Sequence, residues 1–317
     1  MSSRSSVRIT LCFLAVYLVW GSTYLAIRYA IETLPPLLMA GARYVTAGAA
    51  LYAWGMRDGA RPTIRHWRAA LILGAFFFLG GNGAVVWAEQ RIPSGIASLL
   101  IATMPLWVVL LDWLRPGGTR PHPLVAAGVV LGFGGLLLLM SRSGTDSARI
   151  DMAGAVVLVG GALSWAIGSL YALHADLPRS LLLASGMEML AGGVLLTLAG
   201  LAGGELGTLR LDAISIRSVL AFVYLVVFGS IITFSAFRYL VDAVSPSRVS
   251  TYAYVNPVVA VVLGWLLAGE TISARTLTGA AVIVGAVAMV TAGVSARAAR
   301  GAVPAPVAEL AEEPPPS

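Results

Sequence analysis

The chain has 317 residues, of which 58% are AVILMFWYC and 11% are charged, against about 25% charged in an ordinary soluble domain. So little polar surface cannot cover a water-soluble ball, and the composition also excludes a disordered chain, a collagen and, with Cys12 as the one cysteine, a disulfide scaffold. All 21 basic residues are arginine. That removes Walker A and Schiff-base lysine chemistry, and the arginines lie in gaps between apolar runs rather than in a nucleic-acid patch.

Apolar runs long enough for about 30 Å of hydrocarbon, roughly 20 residues each, recur along the chain. They are expected over 9–30, 36–55, 68–88, 94–114, 123–140, 152–174, 180–203, 216–237, 247–268 and 273–294. The first has basic Arg4 and Arg8 ahead of it like a secretory signal, but it runs through Trp20 and Tyr24 to Ala30, too long for a signal core. After Arg297 the tail turns polar and proline-rich, with Pro304, Pro306, Glu309, Glu312, Glu313 and Pro314, and is expected to be disordered.

Arginine placement sets the expected orientation. With the N-terminus inside, Arg4, Arg8, Arg57, Arg61, Arg65, Arg68, Arg115, Arg120, Arg179, Arg238, Arg248, Arg297 and Arg300 fall on the cytoplasmic side. Arg28, Arg91, Arg142, Arg149, Arg210, Arg217 and Arg275 fall outside, and Arg43 lies within a helix. The excess of positive charge inside places both termini in the cytoplasm.

The two halves resemble each other. A shift of 145 brings Trp20 onto Trp165, Gly41 onto Gly186 and Gly48 onto Gly193; a shift of 152 brings Ser98 onto Ser250, Pro105 onto Pro257 and Trp113 onto Trp265. Gly128 and Gly134 meet Gly279 and Gly285 at 151. Five spans per repeat is an odd number, so the second repeat must enter the membrane upside down. The expected fold is all-α and integral to the membrane, with ten transmembrane helices in two inverted five-helix repeats, 9–140 and 150–294. Inverted repeats around a midplane site suit a carrier that alternates which side is open.

Particular segments carry a family resemblance. They are Val19-Trp20-Gly21-Ser22-Thr23-Tyr24, Pro35-Pro36, Ala42-Arg43-Tyr44, Gly81-Asn82-Gly83, Ala88-Glu89 and Pro93-Ser94-Gly95-Ile96-Ala97 leading to Met104-Pro105-Leu106. The second half adds Ser164-Trp165-Ala166, Glu188-Met189, Phe228-Gly229-Ser230, Ser250 to Val258 and Gly269-Glu270-Thr271. Over roughly 9–294 these resemble EamA-type members of the drug/metabolite transporter superfamily, and within it the YedA-type exporters of bacterial inner membranes. The resemblance implies ten helices, two EamA repeats and export of small metabolites or drug-like compounds. The fourth helix departs from the pattern, ending Arg115-Pro116-Gly117-Gly118 without the Gly-Glu of the second repeat.

Arg43 and Glu188 lie seven or eight residues inside their helices, roughly 10–12 Å deep, in equivalent places of the two repeats. An ionised group there costs at least about 2.5–3.5 kcal/mol and needs a partner or water. Glu188 suits a proton or a cationic substrate and Arg43 a carboxylate; equally, each suits a structural ion pair. Pro105 and Pro257 are expected to kink the fourth and ninth helices, as hinges or as packing features, with Thr103 and Asn256 beside them. Trp20, Ser22, Tyr24, Trp87, Trp165 and Tyr252, with Trp107 and Tyr254, are candidates for a cavity wall or for helix packing. Trp67, Trp113 and Trp265 read as interface anchors. Asn82 between two glycines suits a cavity or a helix contact. Glu89 and Glu270 are expected at outer helix ends, as solvated caps or as an entry site. Gly128 with Gly132, and Gly200 with Gly204, suit close helix packing. His66, His122 and His174 have no zinc spacing.

An intramembrane enzyme would want a His-Glu-x-x-His or Gly-x-Ser-x-Gly motif, and the sequence has neither. A channel would want a polar stripe along a pore helix, and the polar residues are scattered. The reading is therefore a carrier with a small-molecule substrate and a lipid bilayer as partners, no nucleic acid, no cofactor or metal, and a monomer as the simplest assembly.

Overall fold

A computed structural model describes residues 3–299 except 60, 117, 119, 141–149 and 245. The tail expectation from residue 300 onward, and the outer arginines Arg142 and Arg149, lie outside the described residues. Every described regular element is helical. The long helices are labelled α1 (Val7–Ala30), α2 (Pro36–Gly55), α3 (Ile64–Ala88), α4 (Ser94–Leu114), α5 (Pro123–Met140), α6 (Met152–Ala172), α7 (Leu181–Ala202), α8 (Ile216–Val241), α9 (Tyr252–Ala268) and α10 (Ala274–Ala296). Eight of them are long and apolar enough to cross a membrane; α9 is shorter, at 17 residues, and α2 has 20 residues but carries Arg43.

Helix starts follow from local chemistry. Pro35 and Pro36 open α2 where the missing N–H costs nothing. Asp151, Ser180 and Ser215 cap α6, α7 and α8 by accepting from the backbone N–H three residues on.

One of the two proline expectations needs correcting. Pro105 does not kink a continuous helix: Ser94–Ile101 ends, and a new helix, Met104–Leu114, begins with Pro105 in its first turn. A first-turn proline removes only an N–H that has no intrahelical partner. Pro257 lies inside α9, and the break falls earlier, between the short helix Pro246–Val249 and Tyr252. The two halves of the chain thus break these helices at different places relative to the proline.

Three helices contain wide π-type turns: Ala15–Val19 in α1, Ala75–Asn82 in α3 and Leu225–Ile232 in α8. Such turns misalign carbonyls, and inside an apolar bundle those need other donors. Side chains supply them. Ser164 donates to the Phe76 carbonyl, Asn82 to Phe77, Thr233 to Phe228 and Trp20 to Gly229.

Packing exchanges the halves of the chain. α1 packs on α8 and α9, and α6 on α3 and α4; α2 packs on α7 and α5 on α10. Glycines permit the closest approach. A Cβ at Gly41 would lie 3.0 Å from the Gly193 carbonyl oxygen, and one at Gly48 3.0 Å from that of Gly186. Gly128 and Gly132 both face neighbours within the monomer, Ala286 of α10 and Leu106 of α4. Gly204 departs from the expected packing role: it turns the chain after α7 at a φ of 76°.

Candidate functional site

Arg43 is the pivot. The start of α2 places it inside the bundle, 5% exposed. Its Nε donates to Ser230 Oγ at 3.0 Å, in the wide turn of α8, and its guanidinium lies 4.6 Å from the centre of the Tyr44 ring. No carboxylate stands within 4.0 Å of it among the described residues, and none of these accepts from Nη1 or Nη2. A Cβ on Gly229 would reach within 3.3 Å of Nη2 and 3.0 Å of Thr23, so the bare backbone there makes room for the guanidinium.

Groups from α1, α2, α3 and α8 gather near it, and Asn256 of α9 backs α1. Trp20 donates from Nε1 to the Gly229 carbonyl, and Thr23 to the Trp20 carbonyl. Tyr44 donates to Asn82 Oδ1 at 2.6 Å, and Asn82 donates onward to Phe77. Asn82 is therefore consumed by helix contacts, the packing role of the two expected for it. Ser22 meets the Tyr224 hydroxyl at 2.6 Å and also donates to the Val19 carbonyl. Tyr24, half-buried, lies within electrostatic reach of Glu89, Tyr44 and Tyr252. Asn256 sits behind Gly21, its carbonyl oxygen 3.1 Å from where a Cβ would stand, and its Oδ1 is enclosed without a partner among the described residues.

Other expected residues lie apart. Glu188 does not pair with Arg43 and has no hydrogen-bond or ion-pair partner among the described residues. Its helix packs on α2 and α3, and the neighbouring backbone is that of Gly74 in α3. Thr103 is fully buried and donates to Leu100, closing the turn where α4 breaks. Trp165 rests on Gly81 and near Phe77 of α3. Trp87 stacks under Arg91 at 4.1 Å and lines a groove of about 400 Å³ with Leu37, Gly80 and Ser164. The aromatic residues therefore do not surround one cavity.

The two ends of the bundle close differently. At one end, Trp20, Phe234, Phe237 and Tyr252 stack with centroids 5.3–5.7 Å apart, and Tyr17 hydrogen-bonds Thr251. At the other, carboxylates from the second half hold helix starts of the first. Glu270 accepts from Ser94 N, Ser94 Oγ and Gly95 N at 2.7–3.0 Å. Glu205 accepts from Leu37 N and Leu38 N at 3.1 and 2.9 Å. Gly269, at a φ of 64°, turns the chain so that Glu270 reaches across.

The expectation of solvated caps at Glu89 and Glu270 is corrected by this geometry. The Glu270 side chain is 8% exposed and lies 3.5 Å from Arg28. Glu89 is 3% exposed, and neither of its carboxylate oxygens has a hydrogen-bond partner among the described residues. It lines a cavity of about 520 Å³ together with Arg28, Glu32, Gln90 and Arg91. The cross-chain partners Ser230, Tyr44, Ser94, Arg28 and Glu205 were not candidates from sequence. Ser230, Tyr44 and Ser94 stand in the quoted motifs, but nothing local marks which side chain each will meet.

The family model for the EamA-like transporter family matches residues 8–141 and again 152–292. The chain belongs to the EamA-like transporter family. The EamA match falls once on each half, in agreement with the internal resemblance. The chain is 41% identical over 282 residues to YedA of Escherichia coli (strain K12), named an uncharacterized inner membrane transporter, covering 88% of this chain and 89% of that one. It is 27% identical to protein PecM of Dickeya dadantii (strain 3937), over 86% and 88%. A crystal structure 21% identical in sequence superposes with a TM-score of 0.60 over 90% of this chain and 98% of its own, which supports the fold. This EamA protein is thus a multi-pass membrane transporter.

Proposed function

We propose that the chain is a secondary carrier, not an enzyme, that exports small metabolites, amino acids or amphipathic drug-like compounds across an inner membrane by alternating access. Ten spans in two inverted repeats, 9–140 and 150–294, with both termini cytoplasmic, form the working unit as a monomer. Arg43 holds the substrate's carboxylate; Trp20, Ser22, Tyr24, Tyr252 and Asn256 line its path, with Trp87, Thr103, Trp165 and Asn82 supporting the wall. Glu188 bears a transported or exchanged charge, and the breaks beside Pro105 and before Pro257 act as gates.

The observation that carries this reading is the exchange of partners between halves. Equivalent glycines cross, Gly41 against Gly193 and Gly48 against Gly186, and α1 takes α8 and α9 as α6 takes α3 and α4. Two halves related in this way can trade conformations, and the open side trades with them.

Counterflow in proteoliposomes tests it. Vesicles are loaded with unlabelled amino acids and aromatic amines, and uptake of each labelled compound is followed. A transient overshoot above equilibrium is expected and names the solute. Simple equilibration would make the protein a channel and overturn the carrier.

A further inference from the structure

Glu89 is a carboxylate enclosed at the end of α3, with both oxygens shielded and no hydrogen-bond donor on either among the described residues. Leaving an ionised group in that state costs several kcal/mol, so the site favours whatever neutralises it. Its neighbours do not. Arg28, the nearest cation, lies against Glu270, and Arg91 is stacked on Trp87. Glu270 itself is spent on the start of α4 and adds a second negative charge within reach. Tyr24 of α1 has no charge to offer, and Glu32 beside the cavity is paired with Arg217. The described residues hold no cluster of three metal-binding side chains. Both oxygens are shielded from the cavity that Glu89 lines, so an organic ammonium held there would not touch them. A proton fits without any rearrangement.

We propose that Glu89 is a proton-binding site that controls the Glu270 latch: protonated, it leaves Arg28 and Glu270 holding α4 closed at this end, and deprotonated, it draws Arg28 and water to itself and releases the latch. The charge created by deprotonation sits beside Glu270, and both carboxylates then compete for Arg28. Loss of Arg28 weakens the hold of Glu270 on Ser94 and Gly95, and the cavity beneath Arg28 and Ile31 opens. The inference rests on the carrier reading, because it assigns one of the two gates of that cycle.

The test uses purified full-length protein in lipid, with the proton itself as ligand. Infrared difference spectra of Glu188→Gln between acid and alkaline pH, free of that second enclosed carboxyl, are expected to contain the carbonyl band of a buried carboxylic acid, absent once Glu89→Gln is added. On a Cys12→Ser background, Ile31→Cys reports opening through labelling by an impermeant thiol reagent, normalised to Leu206→Cys, which is exposed at the same end. The normalised rate is expected to rise severalfold at alkaline pH and to stay low at every pH when Glu89→Gln is added. A carbonyl band that survives Glu89→Gln, or a normalised rate that does not change with pH, overturns the proposal. Neither readout needs turnover. Both signals with simple equilibration in place of counterflow would leave the proton site and remove the carrier; counterflow without either signal would do the reverse.

Discussion

Gly48 of α2 lies against Gly186 of α7, so close that a Cβ on Gly48 would stand 2.7 Å from the Leu190 nitrogen and 3.0 Å from the Gly186 carbonyl oxygen. Backbone cannot yield as a flexible side chain does. Gly48→Leu is therefore expected to force the two helices apart, at a cost of about 1–3 kcal/mol or more. Thermal unfolding in lipid should show the loss, whereas Gly134→Ala, with nothing within 4 Å, should change little.

Arg43 is held by Ser230 and Tyr44 and answered by no carboxylate among the described residues. If it takes the substrate carboxylate, Arg43→Lys keeps the charge but loses the planar fork. A charge-assisted hydrogen bond contributes about 1.5–3 kcal/mol, so KM for the solute found by counterflow should rise roughly 10- to 150-fold. An unchanged KM would confine Arg43 to packing.

Glu188 has no hydrogen-bond or ion-pair partner to lose among the described residues. Glu188→Gln should leave the melting temperature where it is and abolish or uncouple transport. Normal transport that keeps its sensitivity to pH would take Glu188 out of the mechanism.

Glu270 satisfies three donors at the start of α4. Caps of this kind contribute about 0.5–2 kcal/mol, and charged ones stand at the upper end. Glu270→Ala should lower stability by about 2 kcal/mol and speed labelling of Ile31→Cys at all pH values. Glu270→Gln, which keeps one acceptor, should lose less.

Burial first, and then the Glu270 carboxylate, raise the Glu89 carboxyl well above the ordinary carboxylate range, with Arg28 pulling it down. The folded protein then holds this proton more tightly than the unfolded chain does. Stability should fall as pH rises from the ordinary carboxylate value toward the raised one. The melting temperature of the wild type is expected to decline across that window and that of Glu89→Gln to decline less. Equal slopes would mean that Glu89 ionises as readily in the fold as outside it.

The span boundaries were legible because hydropathy is a local property: α2 and α5 fall where the apolar runs placed them. Arg43 and Glu188 were legible as costly residues for the same reason. Pro257 stands inside its helix as the sequence implies, but Pro105 opens a new one, because a proline marks where a hydrogen bond is missing and not whether the helix stops before it. The wide turns of α1, α3 and α8 left no residue signature.

Sequence by itself determined that this is a multispanning helical chain with two similar halves and charges buried at depth, since composition and periodicity settle what each segment can dissolve in. Only the tertiary structure decided which charges are answered. Glu270 meets Ser94 across 176 residues, and Arg43 finds Ser230 across 187. Glu89, whose chain position marks it as an ordinary helix end, is sealed away from every donor that was described. A carboxylate's cost is set by the atoms packed around it, and those come from segments that are distant in the chain.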